Sequence, residues 1–339
     1  MIQKFALPLT IILLLNINNT AAQSFKNQEV KSLIDTTIIL MKKNSIHANQ
    51  VNWAKLKKEV YSKTIQLNNP YEMGSAIRTL YQSINDFHGE FFYRDSTFRW
   101  KRSPLIISDS IRKELKKGVK PKIELLESNI GYLRIPPISG ASVAEFSKKA
   151  QSLNDSLCLL LTKGIKGIIL DLRLNGGGAM FPMLLGVEQL LPKGHLGSFQ
   201  DQTKEEWSIK DHQFFTDTTM LSSIIPKSSI MAEKIPVVIL TGPATGSSGE
   251  FFIIAFKGRK KTILLGTETA GYVTANSGFT LNKFASLNLS TGYGVDRNGK
   301  VYKEALKPDI PNNSPDNFNM VSSDEKVKAA ISWLKTNIN

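Results

Sequence analysis

TGPATGSSGEFF, residues 241–252, separates the apolar run PVVIL (236–240) from the apolar run EFFIIAF (250–256). A β-branched run, a turn rich in Gly and Ser, and a long apolar segment together describe a strand handing over to a helix. Two readings of its serines stand open. A Ser-Ser pair at this point caps a helix, or one hydroxyl is a nucleophile placed where the helix dipole favours a developing negative charge.

A second turn of the same kind lies upstream, where DLRLNGGG (171–178) ends the apolar run GIIL (167–170). Around these two turns, from Ile130 onward, apolar runs alternate with helical patterns. IGYLRI precedes a helix expected over Val143–Thr162, and GIILDLRL precedes a helix in PMLLGVEQLL. PVVILTG precedes one in EFFIIAFKG, TILLG follows, strands are expected around Phe279–Leu289, and the tail closes with a helix in SSDEKVKAAISWLKTNI. Strands that are nearly continuous apolar runs, alternating with helices, predict a parallel sheet covered on both faces. Ligands of such sheets sit at the carboxyl ends of the strands. Neither turn matches the phosphate-binding patterns GxxxxGK[ST] or GxGxxG. GSSG (246–249) misses the GxSxG nucleophile elbow by one residue. A serine at a helix N-terminus remains, beside a glycine turn whose backbone N–H groups suit an oxyanion.

Upstream, residues 24–85 carry apolar side chains at three- and four-residue spacing in three helical stretches, the last two separated by Asn69-Pro70. Residues 86–128 read as irregular, with an exposed charged stretch IRKELKKGVKPK. His88, in SINDFHGEFFY, stands in a loop-like break and is the best-placed base for a serine. His47, His195 and His212 are scattered, without HExxH spacing, so no metal site is expected.

The 339 residues are 41% apolar and 21% charged, the balance of a folded chain. The net charge of +14 comes from dispersed lysines without a nucleic-acid-reading motif, so a basic solvated surface is expected and nucleic-acid binding is not. Cys158, the one cysteine, lies in the apolar run LCLLL and reads as a buried structural thiol; no intrachain disulfide is possible. The start of the chain, MIQKFALPLTIILLLNINNTAAQ, has the basic, apolar and small-residue regions of a secretory signal, with cleavage expected after Ala22. The expected organisation is a signal over 1–22, an N-terminal helical region over 23–100 and an α/β core over 101–339. An exported, periplasmic or extracellular protein without a stable membrane anchor follows.

In order along the chain, NDFHGEFF, IGYLRIPPI, GIILDLRLNGGG, TGPATGSSGE, GTETAG and KPDI resemble the motifs of the S41 serine peptidases, which include the carboxyl-terminal processing proteases and the tricorn core protease. The resemblance implies a crotonase- or ClpP-like ββα core and hydrolysis of peptides or proteins without a cofactor. It places the nucleophile at Ser247, three residues before Glu250, with the backbone N–H of Ser248 and of Gly176 or Gly177 as oxyanion hole. One branch uses a Ser/Lys dyad; Tyr272 stands here at the lysine's place. The tricorn-like branch uses a histidine and a late glutamate, which correspond to His88 and Glu304, although VYKEALKPD is one residue shorter than that branch's tail. The chain between His88 and Ile130 is too short for the PDZ domain of many relatives. Two other functions stand beside the peptidase: a non-catalytic binding protein on the same fold, and a serine esterase.

Overall fold

A computed structural model of the chain describes residues 24–102, 106–200 and 203–338. The expected signal segment, 1–22, lies outside the described residues. Two sheets organise the molecule. The first has six strands in the spatial order Ile310–Pro311, Thr262–Gly266, Val237–Thr241, Gly167–Asp171, Ile130–Arg134 and Lys122–Leu126. All neighbours run parallel except the last pair.

The apolar runs are continuous because both faces of this sheet are covered. Ile168, Leu170, Val237 and Ile239 point to a core shared with the helices Val143–Thr162 and Ser248–Phe256. The alternating Ile169, Val238 and Leu240 point to the other side, against the closing helix Glu325–Asn337. Side chains alternate across a strand, so a two-sided strand needs an apolar residue at every position. The helix Val143–Thr162 has the expected bounds. The one expected in PMLLGVEQLL is shorter, Met180–Leu185, and gives way after Gly186 to a 3₁₀ turn, Glu188–Leu190.

The second sheet has nine strands and is antiparallel, an addition to the parallel sheet the apolar runs predict. Its axis is Ala285–Asp296, paired with Glu90–Tyr93, Gly194–Gln200, Thr274–Asn282 and Val301–Tyr302. A meander, Lys204–Lys210, Gln213–Thr216 and Thr219–Ser223, extends it from Gly194–Gln200. Segment 86–128, read as irregular, supplies the strands Glu90–Tyr93 and Ser96–Phe98, the helix Asp109–Lys117 and the strand Lys122–Leu126. The basic stretch within it is a helix with one buried side chain, Ile111.

Three N-terminal helices, Gln28–Asn44, Trp53–Thr64 and Gly74–Ser83, occupy the three stretches of helical spacing, the third starting after a 3₁₀ turn, Pro70–Met73. Asn27 and Asn52 cap the first two through their side-chain oxygens. The helices share a core with Phe91, Tyr93, Leu287 and Leu289 of the second sheet. The chain leaving the third helix is thereby carried through His88 into Glu90–Tyr93, beside Ala285–Asp296.

Candidate active site

Ser247 closes the turn between Val237–Thr241 and the helix Ser248–Phe256 with φ 52° and ψ −121°. A positive φ is costly for a residue with a Cβ and persists only where the surroundings impose it. Here the two glycine-rich turns are stitched together. Gly246 N–H donates to the Asn175 carbonyl at 2.9 Å, and Thr245 Oγ1 donates to the Leu172 carbonyl at 2.8 Å. Ser247 N–H donates to Glu250 Oε2 at 2.9 Å.

Glu250 is the clamp that sequence reasoning used only as a counting mark. Its carboxylate is fully buried and also accepts Gly271 N–H at 2.9 Å, Tyr272 N–H at 2.7 Å and the Thr269 hydroxyl. One side chain therefore ties the serine turn to loop 269–272. Burial pushes its carboxyl up to about 7, against the pull of the four donors.

His88 and Ser247 line one cavity of about 310 Å³, together with Ser248, Gly178, Phe251 and Thr274. No hydrogen bond links the two side chains; such contacts are often long before substrate binds. The His88 ring meets Tyr272 edge-on, with centroids 5.0 Å apart. Burial pushes the imidazole below its ordinary value, and the charges of Asp86 and Glu90 oppose this in part.

Three expected positions need revision. Glu304 is exposed, forms no hydrogen bond or ion pair with the described residues, and is not the partner of His88 Nδ1. That partner is Thr274 Oγ1, at 2.9 Å. Glu304 lines a second, smaller cavity on which His88 also borders. Gly177 N–H is engaged by Asn175 Oδ1 at 3.0 Å, and neither Gly176 nor Gly177 lines the cavity shared by Ser247 and His88. The third glycine does: Gly178 has φ 100°, and a Cβ there would stand 2.1 Å from the Ile138 carbonyl oxygen. Neither Gly178 N–H nor Ser248 N–H has an acceptor among the described residues. Gly177 serves instead to let the turns approach, since a Cβ on it would lie 2.8 Å from Ser247 Cβ. Ser248 Oγ donates to the Gly178 carbonyl at 2.5 Å, so its side chain is a tie between the turns.

The resemblance places the second donor at Gly176 or Gly177 and passes over Gly178, and Thr274 carries no pattern that singles it out. Among the described residues, no group of three or more His, Cys, Asp or Glu side chains is placed to hold a metal ion. No helix of the described residues is long and apolar enough to cross a membrane. Cys158 is buried, as expected.

A strained serine at a helix N-terminus, a histidine across one cavity and free N–H groups beside it form the frame of a serine hydrolase. Residues 129–312 match the model of peptidase family S41. The chain belongs to peptidase family S41. This is a family of serine-type peptidases. The S41 chain is 32% identical over 231 residues to the nisin-resistance protein of Lactococcus lactis subsp. lactis, covering 68% of this chain and 67% of that one. It is 23% identical over 195 residues to the carboxy-terminal-processing protease of Bartonella bacilliformis, covering 57% of this chain but 40% of that longer relative. In fold it is similar to a lipoprotein from Streptococcus agalactiae, with a TM-score of 0.69 and 23% identity over 91% of this chain and 96% of that one.

Proposed function

We propose that this S41 chain is an exported serine peptidase in which Ser247 attacks the scissile carbonyl and His88 is the general base. One observation carries the reading: Ser247, held at positive φ on a helix N-terminus, shares its cavity with His88. His88 Nε2 takes the Ser247 Oγ proton as the bond to the carbonyl carbon forms, and returns it to the leaving amine as the acyl-enzyme appears. Water then enters by the same route, with His88 again the base. Ser248 N–H and Gly178 N–H donate to the oxyanion at each tetrahedral stage. The helix Ser248–Phe256 adds its dipole to the same site. Export rests on the signal pattern of residues 1–22.

The name of the Lactococcus relative makes nisin the first peptide to try as substrate. With any peptide found to be cut, Ser247→Ala is expected to abolish hydrolysis. Ser248→Ala keeps its backbone N–H and loses only the tie to Gly178, so most activity should remain. Equal loss in the two variants, or a larger loss in Ser248→Ala, would overturn the assignment.

A further inference from the structure

His88 Nδ1 is the end of a chain of hydroxyls that leads to a buried carboxylate. Thr274 Oγ1 lies 2.9 Å from Nδ1 and 3.0 Å from Ser290 Oγ, and Ser290 Oγ lies 2.8 Å from Asp86 Oδ1. Asp86 is 2% exposed and also accepts three backbone N–H groups, those of His88 at 3.0 Å, Gly89 at 2.7 Å and Ser290 at 2.8 Å. A carboxylate facing four donors can only accept.

That fact sets the direction of every bond in the chain. A hydroxyl has one proton to donate. The Ser290 proton goes to Asp86 Oδ1. Its alternative acceptor is Asn276 Oδ1 at 3.1 Å, and the amide of Asn276 is oriented by donating to the His88 carbonyl at 3.1 Å. With either acceptor, Ser290 has no proton left for Thr274. Thr274 must then donate to Ser290, and its oxygen must accept from His88. Among the described residues Nδ1 is the only donor in reach of Thr274 Oγ1, so the proton of the neutral ring sits there and Nε2 carries the lone pair.

We propose that Asp86, Ser290 and Thr274 are positioning residues that fix His88 in the Nδ1–H tautomer, in place of a carboxylate in direct contact with the ring. The proposal rests on the reading of His88 as base to Ser247. No proton travels along the chain. When Nε2 takes the Ser247 proton, the ring becomes a cation with both N–H groups bonded, and the negative charge of Asp86 faces it across two hydroxyls. Other charged or titratable groups near the ring, or lining the two cavities it borders, include Glu90, Tyr272, Arg102, Lys303, Glu304, His47, Tyr293 and Glu205. Nδ1 itself bonds Thr274 Oγ1.

Long-range ¹H–¹⁵N correlation spectra of the full mature chain read the tautomer directly, with His88 assigned by the signal missing from His88→Gln. Well above the ordinary imidazole range, the native protein is expected to show His88 protonated on Nδ1. Thr274→Val, which keeps shape and removes the hydroxyl, should shift the proton to Nε2 or give a mixture. It should also lower kcat by about tenfold or more with little change in KM, short of the 10²–10⁴-fold contributed by a general base. Thr274→Ser should restore both. Ser290→Ala is expected to loosen the tautomer as Thr274→Val does. A native His88 protonated on Nε2, or a Thr274→Val protein with tautomer and kcat unchanged, would overturn the proposal. Persistence of activity in Ser247→Ala would instead overturn the peptidase reading, leaving the tautomer measurement to stand by itself.

Discussion

At the scale of single residues, the site is a set of close approaches that only certain side chains permit. Gly177 has φ 119°, a conformation few L residues adopt, and its missing Cβ leaves room for Ser247. Gly177→Ala should push the Ser247 side chain away from His88 and cut kcat/KM on the order of 10²-fold, as a displacement of about 1 Å does. Steady-state kinetics beside a melting curve would check this, since the folded protein should persist while activity falls. Full activity would show that the turns do not meet as closely as described. The small-residue turn after an apolar run and the histidine in a break have local signatures in the sequence, but the choice of Ser247 over Ser248 comes only from the S41 resemblance. Thr274 has no such signature, because its meaning comes from a contact 186 residues away in the chain. Glu304 was misplaced for the same reason: a tail carboxylate has no spacing that tells whether it reaches a ring.

At the scale of elements, the glycine turn after Gly167–Asp171 is anchored by charge. Arg173 is 1% exposed and donates to Asp171 Oδ2 at 2.8 Å, Asp316 Oδ1 at 2.8 Å and Asp324 Oδ2 at 2.7 Å. Burial alone would push the Asp171 carboxyl up, but the adjoining guanidinium holds it below the usual carboxylate range. Asp324 also caps the helix Glu325–Asn337, so one arginine binds the strand end, the tail and the closing helix. Arg173→Met leaves three carboxylates without their shared cation. Removing one partner of a buried pair costs about 3–5 kcal/mol, and a loss of that size is expected in denaturant unfolding. A loss below about 1 kcal/mol would mean the network is not closed in solution. The sequence showed the strand DLRL but not this role, because a charged residue after an apolar run reads as the start of a solvated loop.

At the scale of the whole molecule, the cavity shared by Ser247 and His88 lies where two sheets of different kinds meet. The parallel sheet was legible because strands buried on both faces, such as Val237–Thr241, leave runs with no polar interruption before the turn. The antiparallel sheet was legible only around Phe279–Leu289, where strands are expected and where Thr274–Asn282 and Ala285–Asp296 lie. Lys204–Lys210 buries one residue fully, Trp207, and Thr274–Asn282 buries none, so neither leaves an apolar run. That second sheet nevertheless delivers His88 to the cavity. Glu90–Tyr93 and Thr274–Asn282 flank Ala285–Asp296 and hold His88 and Thr274 over the serine turn of the first sheet. The central claim, an activated Ser247 served by His88, is tested most directly by the rate of fluorophosphonate labelling across pH, with the site of the adduct read by mass spectrometry. A neutral imidazole accepts a proton and an imidazolium does not, so labelling should rise with pH. Burial of His88 places the midpoint below the ordinary imidazole value of 6.5. The expected result is a single adduct on Ser247, absent in Ser247→Ala and strongly slowed in His88→Ala. No adduct, an adduct on Ser248, or an unchanged rate in His88→Ala would contradict it.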